Sequence, residues 1–240
     1  MGGIENIIER PSPNHDARPD GTGIDILLLH YTGMQSAEAA LDRLTDPDAK
    51  VSAHYLIDED GRCYRMVDEA RRAWHAGVAS WQGATDINAR SIGIELVNPG
   101  HQYGYRHFPD RQMDCLTHLS KAILGRHPIP PTRVLAHSDV APDRKEDPGE
   151  LFNWESLARS GIGLWPAQAS AAAEVIDFSE AMRLLSEIGY AAPEDTVMSR
   201  SARSVLLAFQ RRWMPRDLTG ALTPETAARI REVHSRIIHA

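Results

Sequence analysis

Residues 24–30 have the sequence IDILLLH, in which Asp25 is the only charged residue before the histidine. A short run of Ile and Leu is typical of a strand buried on both faces, at the centre of a sheet that helices cover. The following segment, residues 36–44, is rich in Ala and Leu with charges interspersed, which favours a helix. The chain therefore begins with a predicted strand and helix of an α/β fold.

Strand-like and helix-like segments continue to alternate up to residue 136. Residues 51–58 and 62–67 flank the turn sequence DEDG and predict a hairpin. Residues 91–97 and 133–136 are two further predicted strands, and residues 112–124 repeat apolar side chains at helical spacing after a predicted cap at Asp110. We therefore predict an α/β fold with a mixed central β-sheet flanked by helices.

A change in composition divides the chain. Residues 166–175, PAQASAAAEV, are small and lack periodicity, which indicates a linker. We predict a first domain over residues 1–167, a linker over 168–175 and a second domain over 176–240. The second domain has helical patterns at residues 178–188, 201–213 and 224–238, the last introduced by Thr223-Pro224-Glu225. It is predicted to be a small three-helix bundle.

Composition limits the partners and the compartment. The chain of 240 residues has 26 Lys and Arg against 33 Asp and Glu, a net charge of −7, which argues against nucleic-acid binding. No apolar run approaches the roughly 20 residues of a membrane span, and the N-terminus lacks the pattern of a secretory signal. We expect a cytoplasmic protein, with a periplasmic or exported one as the alternative if a leader has been removed. We predict that Cys63 and Cys115 are buried and pack as small apolar side chains. The sequence does not indicate the oligomeric state.

Three polar residues stand where a packed core would not favour them. His30 and His137 follow apolar strands, and Glu95 lies inside one. We expect them to converge on one side of the sheet, joined by Asp147 from a loop ten residues beyond His137. Two imidazoles and a carboxylate, with one position left for water, are a ligand set of catalytic zinc. Structural roles stay open on spacing alone, because the chain has 11 histidines.

Five ordered segments carry a family resemblance. They are HYTG at residues 30–33, SAHYLI at 52–57, WHAG at 74–77, SIGIEL at 91–96, and AHSD at 136–139, which continues to KEDPG at 145–149. Over residues 12–165 the chain resembles the zinc-dependent N-acetylmuramoyl-L-alanine amidases. This group contains the AmpD- and AmiD-type enzymes and is related to amidase-type phage lysozymes and peptidoglycan recognition proteins.

The resemblance implies roles for five residues. Zinc would be held by His30, His137 and Asp147. Glu95 would move the proton as general base and acid, and Lys145 would stabilise the oxyanion. The implied reaction is hydrolysis of the amide bond between the lactyl group of N-acetylmuramic acid and L-alanine, in peptidoglycan or in (1,6-anhydro)muropeptides.

Four further residues are candidates for substrate contact. Trp74, His75 and Trp81 lie in a glycine-containing segment that would wall a sugar-peptide groove, and His54 would line the cleft. Burial in the core remains an open interpretation for each of them.

The second domain resembles a three-helix peptidoglycan-binding module. The resemblance rests on VLLAFQRRW at residues 205–213 and TPET at residues 223–226. This resemblance favours polymeric peptidoglycan as the substrate, whereas the lack of a secretory signal pattern favours soluble muropeptides. Two alternatives stay open: a recognition protein that only binds peptidoglycan, and an exported or phage-type autolysin. The complete ligand set favours an enzyme over a binder.

Overall fold

The computed structural model describes residues 7–166 and 176–239. The strands are β1 (Ile8–Glu9), β2 (His15–Ala17), β3 (Ile26–Tyr31), β4 (Tyr55–Ile57), β5 (Cys63–Arg65), β6 (Arg71–Ala73), β7 (Ser91–Leu96) and β8 (Val134–Ala136). Six of them form the main sheet in the order β1-β5-β4-β7-β3-β8, and β2 and β6 pair separately. Strands β4, β7, β3 and β8 are parallel neighbours, and β5 is antiparallel to β4. The predicted mixed sheet is confirmed.

Helices surround the sheet along the described parts of the chain. They are α1 (Ala37–Thr45), α2 (Ile87–Arg90), α3 (Gly100–Tyr103), α4 (Asp110–Arg126), α5 (His137–Val140), α6 (Trp154–Arg159), α7 (Phe178–Ile188), α8 (Arg200–Trp213) and α9 (Pro224–Ile238). Side chains of Ser36, Asp177, Ser199 and Thr223 cap the N-termini of α1, α7, α8 and α9. Asp110 is the first residue of α4 and makes no capping hydrogen bond, so the predicted cap at this position is wrong.

The predicted hairpin forms, but with shorter strands. Strands β4 and β5 pair around a turn in which the Asp58 N–H donates to the Arg62 carbonyl over 2.9 Å. Residues preceding β4 bond elsewhere: the Ser52 N–H donates to the Trp74 carbonyl, and the His54 N–H donates to the Gly93 carbonyl. The predicted strand over 51–58 is therefore reduced to Tyr55–Ile57, because its first part connects other segments.

Strand β3 explains why the run of Leu and Ile is unbroken. Its residues alternate between faces, so Leu27 and Leu29 pack in one cluster with Leu116 of α4. Ile26 and Leu28 face the other way and share a cluster with residues of the C-terminal helices, including Leu185, Leu206, Phe209 and Trp213. The C-terminal helices thus cover the second face of the sheet at β3 and β8, and α1 packs on Leu56 of β4.

A buried ion pair joins these helices to the sheet. Arg212 of α8 donates to Asp139 Oδ2 over 2.5 Å and to the Val134 carbonyl over 2.8 Å, and the Tyr190 hydroxyl donates to Asp139 Oδ1 over 2.7 Å. Buried charges are tolerated when they are paired in this way. The division into two domains stays a prediction, since the predicted linker over 168–175 lies outside the described residues.

The structure also bears on two features considered from composition, the two cysteines and membrane-spanning helices. Cys63 is buried and Cys115 is half-buried, and both are free thiols. Among residues 7–166 and 176–239, no helix is both long and apolar enough to cross a bilayer.

Candidate metal centre and cleft

Parallel strands bring the predicted site residues to one edge of the sheet. His30 of β3 lies opposite Glu95 of β7 in the strand register, and β8 ends beside them one residue before His137. The carboxyl ends of neighbouring parallel strands are where open α/β sheets form their sites. The convergence expected from the strand ends is therefore present in the structure.

A shaped loop returns Asp147 to this edge. The Ser138 N–H donates to the Asp147 carbonyl over 3.0 Å, and the Asp147–Pro148 peptide bond is cis. Gly149 has a φ of +85°, and a Cβ atom there would lie 2.2 Å from the Tyr105 hydroxyl. A residue with a side chain cannot occupy position 149 without displacing Tyr105, which holds the loop by donating to the Pro148 carbonyl.

Three ligand atoms meet in the interior. The distance between the Nδ1 atoms of His30 and His137 is 2.9 Å, and Asp147 Oδ2 lies 3.1 Å and 3.0 Å from them. All three side chains are buried. Together they form a group of two nitrogen donors and one carboxylate oxygen whose ligand atoms lie close enough to share one ion.

Hydrogen bonds assign the protons of both imidazoles. The carbonyl of Ala76 accepts from His137 Nε2 over 3.0 Å, so His137 Nδ1 carries a lone pair. The Ser91 hydroxyl donates to the Ile87 carbonyl and therefore accepts from His75 Nε2 over 3.3 Å. His75 Nδ1 then accepts from His30 Nε2 over 3.1 Å. The lone pair of His30 is left on Nδ1.

This proton assignment fits a cation. Two nitrogen lone pairs and a carboxylate oxygen face one another with no hydrogen atom between the nitrogens, an arrangement that repels itself unless a positive charge joins it. Burial, followed by the nearby His137, lowers the pKa of His30 to about 4, so its imidazole is neutral at pH 7. Two imidazoles with their outer N–H groups bonded, together with one carboxylate, suit Zn²⁺ with a position left open.

Glu95 faces the same site with an unused oxygen. Its Oε2 atom is buried and has no hydrogen-bond partner within the described residues. Burial, with a contribution from the Asp147 carboxylate, raises the pKa of Glu95 well above its usual value, while Lys145 opposes the rise. A carboxyl group with an elevated pKa is suited to take up and release a proton near neutral pH.

A cleft of about 380 Å³ opens above these residues. Its floor includes Glu95, His137 and Asp147, and its walls come from the segment after β3, from α1 and from the loop that precedes Asp147. Three basic side chains line it: Arg43, Arg144 and Lys145. Arg144 also donates to the carbonyls of Ala76 and Val78, which ties the Asp147 loop to the segment that follows His75.

The residues predicted to contact substrate differ in whether they border the cleft. His75 borders the cleft, but its ring nitrogens bond to His30 and Ser91, so it supports a candidate ligand. Trp74 is half-buried and is not among the residues that line the cleft, and its predicted contact with substrate stays a prediction.

Two of the predicted substrate contacts are corrected. His54 is fully buried, and its Nδ1 accepts from the Gly93 N–H over 3.0 Å while its Nε2 lies 3.1 Å from the Arg71 carbonyl. Trp81 is buried against Tyr190, with ring centroids 5.1 Å apart, in the cluster shared with the C-terminal helices. Both are core residues, because internal hydrogen bonds or packing use the surfaces that a substrate would need.

Sequence reasoning missed the residues that hold His75. The Asn88 side-chain oxygen accepts from the N–H groups of His75 and Ala76 over 3.1 Å and 2.8 Å. Gly93 leaves room for the imidazole, since a Cβ atom there would lie 2.6 Å from the His75 ring. The glycine in the middle of the strand sequence SIGIEL was the available signal, because glycine inside a strand marks a close approach.

Comparisons with known proteins agree with this fold. The family model described as N-acetylmuramoyl-L-alanine amidase (Amidase_2) matches residues 20–150. The chain therefore belongs to the N-acetylmuramoyl-L-alanine amidase family, whose members hydrolyse the amide bond between N-acetylmuramic acid and L-alanine.

Within the family, the chain is similar along nearly its whole length to AmiD of Escherichia coli strain K12. The two are 36% identical over 250 aligned residues, which cover 94% of this chain and 89% of AmiD. AmpD of E. coli strain K12 is 35% identical over 60% of this chain and 86% of its own length.

Two solved structures cover the C-terminal helices as well. The complex of E. coli AmiD with the substrate anhydro-N-acetylmuramic acid-L-Ala-D-γ-Glu-L-Lys has a TM-score of 0.81 at 34% identity, and covers 91% of this chain and 92% of that one. AmpDh3 of Pseudomonas aeruginosa, in complex with anhydromuramic pentapeptide, has a TM-score of 0.82 at 32% identity, and covers 91% and 94%.

Proposed function

We propose that this amidase is zinc-dependent, that His30, His137 and Asp147 hold the ion, and that Glu95 and Lys145 act beside it on a muropeptide substrate. The observation that carries the proposal is the meeting of two imidazole lone pairs and a carboxylate on the floor of a cleft that Glu95 and Lys145 also line. A set of three protein ligands is characteristic of catalytic zinc, in which the fourth position stays open.

The roles follow from the position and charge of each residue. Bound zinc lowers the pKa of water and polarises the scissile carbonyl group. Glu95 takes up a proton at its unpartnered Oε2 and delivers it to the departing amine of L-alanine. Lys145 places a positive charge beside the oxygen that becomes negative during attack on the carbonyl.

The substrate that these features favour is a soluble 1,6-anhydromuropeptide. A cleft of about 380 Å³ accommodates a sugar with a short peptide, since ligand sites generally measure a few hundred Å³. Its three basic side chains line the cleft together with Glu95, Glu146 and Asp147, and they offer partners for the ionised carboxylates of a stem peptide. The substrates named for the AmiD and AmpDh3 structures are anhydromuramic peptides, which supports the same assignment.

An enzyme that acts on this substrate recycles soluble wall fragments. The cytoplasmic location predicted from the sequence is consistent with that role. Cleavage of polymeric peptidoglycan by a periplasmic or exported enzyme is the competing proposal. It draws support from the C-terminal helices, which the AmiD relative shares. A protein that only binds peptidoglycan would have no need of Glu95 beside a full ligand set.

Mass spectrometry of reaction products tests the proposal. The zinc-loaded protein and a chelator-treated control are each incubated with a 1,6-anhydromuropeptide and with intact peptidoglycan. We expect free stem peptide from the zinc-loaded sample, restored in the control on adding Zn²⁺, and released faster from the soluble substrate. Faster release from intact peptidoglycan would support wall cleavage instead. Binding without any release would identify a recognition protein.

A further inference from the structure

Two consecutive arginines of α8 are buried beneath the candidate metal centre. Arg211 is 8% exposed and Arg212 is 2% exposed, although arginine is rarely buried unless it is paired. They lie in the stretch that resembles a peptidoglycan-binding module. Phe209 and Gln210 of this stretch are also fully buried. This part of α8 is therefore covered by the protein itself and is not available to a glycan.

Arg212 holds the segment that carries His137. Its guanidinium group donates to the Val134 carbonyl, three residues before His137, and to Asp139, two residues after it. Asp139 in turn accepts from the Ala136 N–H over 2.8 Å. The segment is bonded on both sides of His137, so the position of the imidazole depends on α8.

Arg211 holds the loop that carries Asp147. Its Nη2 atom donates to Glu146 Oε1 over 3.0 Å, and its Nε atom lies 3.6 Å from Glu150 Oε2. These two carboxylates stand one residue before and three residues after Asp147. Glu150 also accepts from His101 Nε2 over 3.1 Å. Arg211 is thus the group on α8 that contacts both sides of the Asp147 loop.

We propose that α8 is a positioning element of the metal centre, in which Arg211 orders the Asp147 loop and Arg212 orders the His137 segment. This inference rests on the proposed zinc site. Neither arginine touches the cleft, so both act through the ligands. Supporting residues of this kind typically alter metal affinity by about 10- to 100-fold.

The test measures zinc affinity by competition with a chromogenic chelator, together with kcat and KM for the anhydromuropeptide. For Arg211→Ala we expect a zinc Kd raised roughly 10- to 100-fold and a lower kcat at saturating zinc, with little change in KM. Arg211→Lys keeps the charge but not the two-sided contact, and should fall between Ala and wild type. Arg200→Ala, an exposed arginine on the same helix, is the matched control and should match wild type.

Denaturant unfolding of each variant shows whether the fold is intact. If Arg211→Ala fails to fold, Arg211→Lys and Glu150→Gln carry the test, because both keep most of the buried contacts. A wild-type zinc Kd and kcat in the folded variants would overturn the inference. A wild type that binds zinc tightly but hydrolyses nothing would refute the proposed reaction while leaving the affinity comparison decisive for α8. A wild type without zinc affinity would overturn both.

Discussion

The Nδ1 atom of His75 accepts a hydrogen bond from the Nε2 atom of His30 over 3.1 Å, and this bond decides which nitrogen of His30 is available to a metal. The Ser91 hydroxyl sets the direction of this bond. It donates to the Ile87 carbonyl and therefore accepts from His75 Nε2, which leaves the lone pair of His75 on Nδ1. A hydroxyl two side chains away from the candidate metal position therefore helps to select the tautomer of a candidate ligand.

We predict that Ser91→Ala weakens zinc binding by about tenfold, because His75 loses the acceptor that fixes its tautomer. Chelator competition measures the affinity, and nitrogen-15 NMR of the imidazoles reports the tautomers of His30 and His75. Ser120→Ala is the matched control, since Ser120 is also buried but its hydroxyl has no hydrogen-bond partner within the described residues. Equal zinc affinity in both variants would refute the assigned relay.

Glu95→Gln should retain zinc while reducing kcat by about 10²- to 10⁴-fold, because the amide keeps the shape of the side chain but cannot carry the proton. The zinc content of the purified variant and its kcat for the anhydromuropeptide are the two measurements. Exposed Glu38 of α1 supplies the control as Glu38→Gln, which should be fully active. A Glu95→Gln variant that turns over at the wild-type rate would remove Glu95 from the mechanism.

Arg43→Ala should raise KM for a muropeptide about fivefold and leave kcat nearly unchanged. Arg43 is an exposed residue of α1 that lines the cleft, and an exposed charge contact contributes at most about 1 kcal/mol. The increase should disappear when the stem carboxylates are amidated. Arg216→Ala, an exposed arginine that does not line the cleft, should behave as wild type. An equal KM increase with the amidated substrate would contradict a charge contact.

Acid should destabilise the protein through Glu69. Burial acts to raise the pKa of Glu69, but hydrogen bonds from Arg126, Tyr55 and His127 outweigh it and lower the pKa to about 2, against 4.5 as the ordinary value. A lowered pKa in the folded state gives stability that is complete above pH 4.5 and is lost as the pH falls towards 2. Because solvent screens part of this interaction, its contribution at neutral pH is on the order of 1–2 kcal/mol.

Urea unfolding tests the role of Glu69. We would measure it between pH 2.5 and pH 7, which is about the range in which protonation of Glu69 changes the free energy of unfolding. Glu69→Gln should lower the free energy of unfolding at pH 7 and flatten its decline in acid. Glu194→Gln, at an exposed position, should follow the wild-type curve. A parallel decline of the Glu69→Gln variant and wild type would show that other carboxylates dominate acid unfolding.

The main sheet was predictable where the sequence carries its own periodicity. Strands β3 and β7 have six residues each, long enough to show a buried run or an alternation, and their ends mark the edge where His30 and Glu95 lie side by side. Strands of two or three residues, such as β1, β2 and β6, show no period and exist because of their tertiary hydrogen bonds. These short strands were therefore not predicted from the sequence.

The candidate ligands were accessible to sequence reasoning, whereas their supports were not. His30 and His137 follow apolar runs, Asp147 lies in a loop ten residues beyond His137, and the family resemblance implies that all three are ligands. The supporting roles of His75, Ser91 and Arg211 depend on which side chains meet after folding, so local patterns indicate them only indirectly. Two adjacent arginines inside an apolar helical stretch were a usable signal of buried ion pairs.

The cluster that joins Ile26 and Leu28 to the C-terminal helices has a consequence for protein engineering. In this chain, exchanging the last three helices for an unrelated module would uncover the apolar side chains that β3 and β8 present to them and would remove Arg212, which pairs with Asp139. A targeting module is better appended beyond α9, where the existing interface stays intact.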